Sequence, residues 1–275
     1  MLGKLFKHEL WAMSRIMLPV TAVLLVLAGL SNVSVRYIDL VQSDFLTFVL
    51  ALFLVLFFIG MVAAGVVLIV VIVSRFYNNL LKDEGYLMFT LPVSTHELVW
   101  SKLLASLVWT IVSALIMAGL IWVTAMHAIS VASDTIHISF DLDLSGMLRY
   151  LSENFDITGG YLALMIVEGV FGIIIASFSS CLLFYAAMSI GQSFANHKVL
   201  MSVVFFLLIS FAAQIVTPYI YMGIGELYSN VSFDINNFKA IFQQIILVSL
   251  AVELAYSAIL YVITNIFLKK RLNLG

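Results

Sequence analysis

Apolar residues fall along this chain in long, nearly unbroken runs separated by shorter polar stretches. Crossing about 30 Å of hydrocarbon takes about 20 helical residues, so each long run can be read as a transmembrane span. Six qualify: Ile16–Val35, Val49–Val73, Leu103–Ala125, Tyr161–Ile190, Val199–Val216 and Ile241–Phe267. The fifth is the shortest. Pro218 is expected to close it, and the segment beyond it, with Tyr219, Tyr221, Gly223 and Gly225, is expected to dip back toward the membrane.

The polar stretches have patterns of their own. Residues 2–15 set Leu2, Leu5, Phe6, Leu10 and Met13 on one helical face and Lys4, His8 and Arg15 on another. This predicts an interfacial helix with Trp11 at headgroup level, or a simple basic flank to the first span. Residues 74–102 form a long polar loop divided by Gly85 and Pro92. Within it Ser94-Thr95-His96-Glu97 fits a capping box, so a helix is predicted to start near Ser94 and run into the third span. Leu87, Met88, Phe89 and Leu91 precede that start and need a covering surface. Between spans three and four, Ile136, Ile138, Phe140, Leu142 and Leu144 alternate with polar residues, which predicts a short strand. Met147, Leu148 and Leu151 then predict a short helix within Ser145–Phe155.

Composition removes the soluble alternatives. Hydrophobic residues make up 63% of the 275 and charged residues 10%, against about 45–50% and about 25% in ordinary globular domains. The expected fold is therefore an all-α integral membrane protein of six transmembrane helices, a single transmembrane domain over residues 1–275. A net charge of -2 gives no basic stripe for nucleic acid. The one cysteine, Cys181, allows no intramolecular disulfide.

Charge position sets orientation. Lys4, Lys7, Arg15, Arg75, Lys82, Lys102, Lys198, Lys269, Lys270 and Arg271 fall on one side of a six-span chain, and Arg36, Arg149 and Lys239 on the other. By the positive-inside rule both termini and the 74–102 loop are cytoplasmic, and the 126–160 loop is external.

Candidate chemistry is sparse. The chain has no nucleotide-binding Gly-rich loop ending in Lys and Ser or Thr, no HExxH and no GxSxG. His137, Asp141 and Asp143 would share a strand face and could ligate a cation, although a solvated face explains them as well, and no metal site is assigned. Glu168 and Glu253 lie within spans, where an ionisable group is a functional candidate by default. Two readings stay open for them: a proton-coupled relay, or neutral carboxyls bonded to another helix. Gly172, Ala176 and Ser180 form a small-residue ridge, and Ala187 and Gly191 a second pair, suited to close packing within the fold or across a dimer. Phe53 and Phe57 in the second span, with Phe205 and Phe206 in the fifth, are candidates to line an apolar path or to face lipid.

The block LKDEGYLMFTLPVSTHELVWSKLL, Leu81 to Leu104, with the six spans and the N-terminal amphipathic helix, resembles the permease subunits of bacterial type 2 ABC exporters. The resemblance implies that this loop carries a coupling helix seated on a separate ATP-binding subunit, through Lys82, Asp83, Glu84, Gly85, Tyr86, Phe89, Leu91, Pro92, Thr95 and Glu97. It also implies a second permease subunit, a path lined by spans two and five, ATP and Mg held by the partner, and no catalysis by this chain. The plasma membrane is the expected location. A secondary transporter or channel using Glu168 and Glu253 is the alternative, and it lacks a visible inverted repeat.

Overall fold

The computed structural model describes residues 2–37, 43–81, 94–136, 146, 149, 159–194, 197–228 and 235–270. Six long helices account for nearly all of them: α1 (Leu2–Tyr37), α2 (Asp44–Phe76), α3 (Thr95–Ile136), α4 (Gly159–Gly191), α5 (Lys198–Tyr228) and α6 (Ile235–Lys270). A π-helical turn, Tyr77–Leu81, extends α2. All six helices are long and apolar enough to cross a membrane, and the described residues contain no strand. The longest has 42 residues and the shortest 31, so at 1.5 Å per residue every one exceeds the roughly 30 Å of a hydrocarbon core.

Two helices run further than the apolar runs suggest. Residues 2–15 continue into the first span as one helix through Pro19, so they do not form the separate interfacial helix expected from the sequence. The amphipathic pattern was read correctly: Met13 is buried, Leu5, Phe6 and Leu10 are half-buried, and Lys4, His8 and Arg15 are exposed. Part of the cover comes from protein, because the Trp109 indole of α3 donates a hydrogen bond to the Leu10 carbonyl at 3.2 Å. Arg15 lies 3.8 Å over the exposed Trp11 ring.

The second extension is α5. Pro218 does not close this helix, and Tyr219, Tyr221, Gly223 and Gly225 are helical instead of re-entrant. Proline removes only the one N–H that would bond the Gln214 carbonyl, and helices of apolar composition tolerate that loss in membranes. Of the alternating segment 136–144, only Ile136 is described, as the last residue of α3. Gly146 and Arg149 are helical, as the short helix predicted there requires.

The helices divide into two compact units, one comprising Gly3–Ile72 and Leu104–Leu144, the other Met1–Leu2, Val73–Leu103 and Ser145–Gly275. In the first, Gly60 comes so close to Leu27 that a Cβ there would lie 2.7 Å from Cδ1, and Asn32 of α1 donates to the Thr124 hydroxyl of α3 at 3.5 Å. In the second, α4 packs on both α5 and α6. The α4–α6 pair is parallel: Tyr161 reaches the Lys239 carbonyl, and eleven residues further along α4, Gly172 faces Leu250 of α6.

The predicted small-residue ridge of α4 divides: Gly172 meets Leu250 within the fold, and the rest of the ridge faces outward. Ile175, Ser179, Leu182 and Ala186 are buried, whereas Ala176 and Ser180 are exposed, so the buried stripe runs one position earlier. Gly191 does make a close approach. A Cβ there would lie 2.6 Å from the Ser202 nitrogen and 2.7 Å from its Cα. Backbone atoms cannot swing away, so α4 and α5 meet this tightly only because residue 191 has no side chain. Gly191→Ala is expected to lower the stability of the detergent-solubilised protein by about 1–3 kcal/mol, the usual cost of overpacking. Gly172→Ala, whose Cβ would meet Leu250 at an ordinary 3.5 Å, is expected to change it little; parallel thermal melts compare the two.

Candidate functional site

The 82–93 segment, from which the sequence argument drew most of its candidate residues, is flanked on both sides by buried anchors of one compact unit. Before it, the Phe76 ring stacks on Tyr185 of α4, with centroids 4.0 Å apart and planes 13° from parallel. Leu80 and Leu81 are then buried in the π-helical turn, a geometry concentrated at functional positions. After it, the capping box forms as predicted: the Glu97 amide donates to the Ser94 hydroxyl, and the Ser94 amide donates to Glu97 Oε2, each at 3.3 Å. Leu98, Val99 and Leu103 follow, all buried. Thr95 and Glu97 are therefore placed, half-buried, on the first turn of α3. Lys82, Asp83, Glu84, Gly85, Tyr86, Phe89, Leu91 and Pro92 lie outside the described residues.

The same turn of α3 is fastened to the end of α6. Trp100 Nε1 donates to the Tyr261 hydroxyl at 2.9 Å, and His96 Nδ1 stands 2.8 Å from that oxygen. Lys269 Nζ lies 3.0 Å from His96 Nε2. An ammonium can only donate, so Nε2 accepts and the imidazole carries its proton on Nδ1, which donates to Tyr261. Tyr261 is thus a shared acceptor for two side chains of α3. The Trp100 ring also packs against Phe178 of α4, at 5.5 Å. The sequence shows His96 only as part of the capping-box motif and does not by itself bring Trp100, Tyr261 or Lys269 to it. Their spacing was the available signal, since His96 and Trp100 are four apart and Tyr261 and Lys269 eight apart, each pair on one helical face.

The phenylalanine candidates separate. Phe57 is buried and Phe53 half-buried, both in the first unit. Phe205 and Phe206 belong to the second, where Phe206 stacks on Phe184 at 5.0 Å and Phe205 meets Phe194 at 5.6 Å. The first contact joins α5 to α4, and the second joins α5 to the turn that follows α4. The exposed apolar surface of α5 is carried by Val199, Val203, Leu207 and Phe211.

Glu168 and Glu253 both sit on the α4–α6 seam. Glu168 of α4 accepts a hydrogen bond from the Gln243 amide of α6, and Glu253 of α6 accepts one from the Ser179 hydroxyl of α4. The carboxyls are thus half-buried and bonded across helices. Gln243 and Ser179 could not be named as partners beforehand, because pairing them needs the register between two helices about 75 residues apart in sequence.

Tyr261→Phe removes the shared acceptor and leaves two donors to find other partners, so it is expected to cost about 1–3 kcal/mol at about 0.5–1.5 per hydrogen bond. Thermal unfolding should show the loss, with Tyr219→Phe, at an exposed position, as an unaffected control. Compared with protein-family models, with curated proteins and with solved structures, the chain matches none of them.

Proposed function

We propose that this chain is the transmembrane permease subunit of an ATP-binding-cassette transporter, exporting a hydrophobic or amphipathic substrate with ATP hydrolysed by a separate subunit. The observation that carries the proposal is the anchoring of segment 82–93. Its flanks are buried on both sides within one compact unit, by Phe76, Leu80 and Leu81 before it and by Leu98, Val99 and Leu103 after it. A soluble engine can move a membrane machine only through a surface on which both act, and a pushed surface transmits force only if its ends are held. The 82–93 segment has the apolar cluster Leu87–Leu91 for such a contact and rigid attachments for passing the displacement on.

In this reading the ATP-binding subunit engages Lys82, Asp83, Glu84, Gly85, Tyr86, Phe89, Leu91, Pro92, Thr95 and Glu97. Displacement enters α3 through its capped first turn and reaches α6 through the hydrogen bonds of His96 and Trp100 to Tyr261. ATP and Mg belong to the partner, and a second permease subunit completes the path, with Phe53, Phe57, Phe205 and Phe206 as its candidate lining. In this reading the protein lies in the plasma membrane, and the ten-to-three distribution of Lys and Arg supports cytoplasmic placement of both termini. The alternative, an ATP-independent transporter or channel, draws support from the two carboxyls on the α4–α6 seam.

Topology is tested by cysteine labelling on a Cys181-free background. Positions 137 and 234 are expected to react from outside, and position 83 only after permeabilisation; labelling of position 83 in intact cells refutes the orientation. Coupling is tested by Phe89→Asp, which places a carboxylate in the proposed contact. An unpaired buried charge costs several kcal/mol, or about three orders of magnitude in affinity for 4 kcal/mol. The variant is expected to reach the membrane in normal amount yet lose co-purification with the ATPase and transport-linked hydrolysis, whereas Ile138→Asp retains both. Full ATPase association and transport by Phe89→Asp would remove the coupling assignment.

A further inference from the structure

The α4–α6 seam contains a pair of side chains whose hydrogen bonds do not balance if the carboxyl is ionised. Gln243 Nε2 donates to Glu168 Oε1, and Gln243 is the one hydrogen-bond partner of Glu168 among the described residues. Glu168 Oε2 and Gln243 Oε1 are both buried, and neither has a hydrogen-bond partner among the described residues. A carboxylate accepts and never donates, and an amide oxygen likewise only accepts. Ionised, the pair therefore leaves two acceptors without donors in the apolar surroundings of two helices of membrane-crossing length. Each orphaned buried acceptor carries its full desolvation penalty.

One proton removes both deficits. We propose that Glu168 and Gln243 form a proton-binding site, in which Glu168 Oε2 carries a proton that it donates to Gln243 Oε1. The carboxylic acid and the amide then hold each other through two antiparallel hydrogen bonds in a closed ring. The pair is electrically neutral, every polar atom facing the partner is used, and the ring clasps α4 to α6. The ligand is the proton, and its departure leaves two oxygens that both need a donor, which loosens the seam at that point.

The surrounding ionisable groups leave this assignment intact. On α4, Tyr161 is directed to the Lys239 carbonyl. On α6, Lys239 lies one turn before Gln243 and is not bonded to Glu168. On α5, which also packs on α4, Tyr219, Tyr221 and Glu226 lie in the last third, beyond Pro218, and are not bonded to Glu168 either. Glu253 differs, because the Ser179 hydroxyl supplies it with a donor and neither of its oxygens is a buried orphan. The site does not depend on whether an ATPase drives the chain.

Infrared spectroscopy of the full chain in lipid nanodiscs at neutral pH distinguishes a carboxylic acid from a carboxylate directly. The wild-type minus Glu168→Gln difference spectrum is expected to show loss of a protonated-carboxyl C=O band that shifts on exchange into D2O. Loss of carboxylate bands instead would overturn the proposal. Glu168→Gln is itself expected to melt with the wild type, since an amide pair closes the same ring. Gln243→Leu provides the second measurement and is independent of that variant. The acid carbonyl loses its donor, so its band is expected to move to higher wavenumber, and an unmoved band would refute the pairing. The same spectra of Glu253→Gln should retain the Glu168 band.

Discussion

Hydrocarbon offers no hydrogen-bond partners, and that single constraint organises this chain. Backbone N–H and C=O groups must satisfy one another within each segment, which makes continuous helix the available form wherever a run is apolar. The same rule then applies to side chains. A polar group within a span must bond back to its own helix, as Ser31, Thr110 and Thr264 do to carbonyls three or four residues earlier, or reach sideways to another helix. The sideways bonds are the informative ones because they fix which helices belong together. They concentrate between α4 and α6 and between the first turn of α3 and the end of α6.

These lateral bonds give the second unit a division of labour. Tyr185, Ile175, Leu182 and Ala186 form the packed side of α4 with Phe76 stacked against it. Dispersion and shape hold that part, in line with helix association in lipid, where no hydrophobic force favours one apolar neighbour over another. The polar clasps add direction. Tyr261 can bond His96 and Trp100 together only when the start of α3 and the end of α6 are in one register. A small displacement of the capped turn therefore changes a defined set of bonds instead of sliding over an apolar surface.

What the sequence disclosed follows from the range of each signal. Span positions and the capped start of α3 depend on residues within a few turns of one another, and the structure contains them where expected. The amphipathic pattern of residues 2–15 was legible too, but what covers its apolar face was not, because Trp109 lies about a hundred residues away. Pro218 misled because a soluble-protein rule, that proline ends a helix, weakens where neighbours and lipid leave the backbone no better option. The ridge of Gly172, Ala176 and Ser180 was legible as a place for close packing, but small side chains do not say what packs there: Gly172 meets Leu250 of α6, whereas Ala176 and Ser180 face outward. The partners of Glu168 and Glu253 required knowledge of the α4–α6 register, which no local pattern carries.

The contact at Gly191 bears on how the second unit can change shape. With the Ser202 backbone directly against it, the joined ends of α4 and α5 have no slack. That contact opposes sliding of one helix past the other and leaves rotation about the joined end as the freer movement, like the arms of tongs about their rivet. The free arm, the part of α5 from Ser202 to Tyr228, is about 39 Å long at 1.5 Å per residue, so a swing of about 5° carries its tip about 3 Å. A rivet of one missing methyl group thus places the largest excursion of the hairpin at the end farthest from it, around Tyr228 and Gly159.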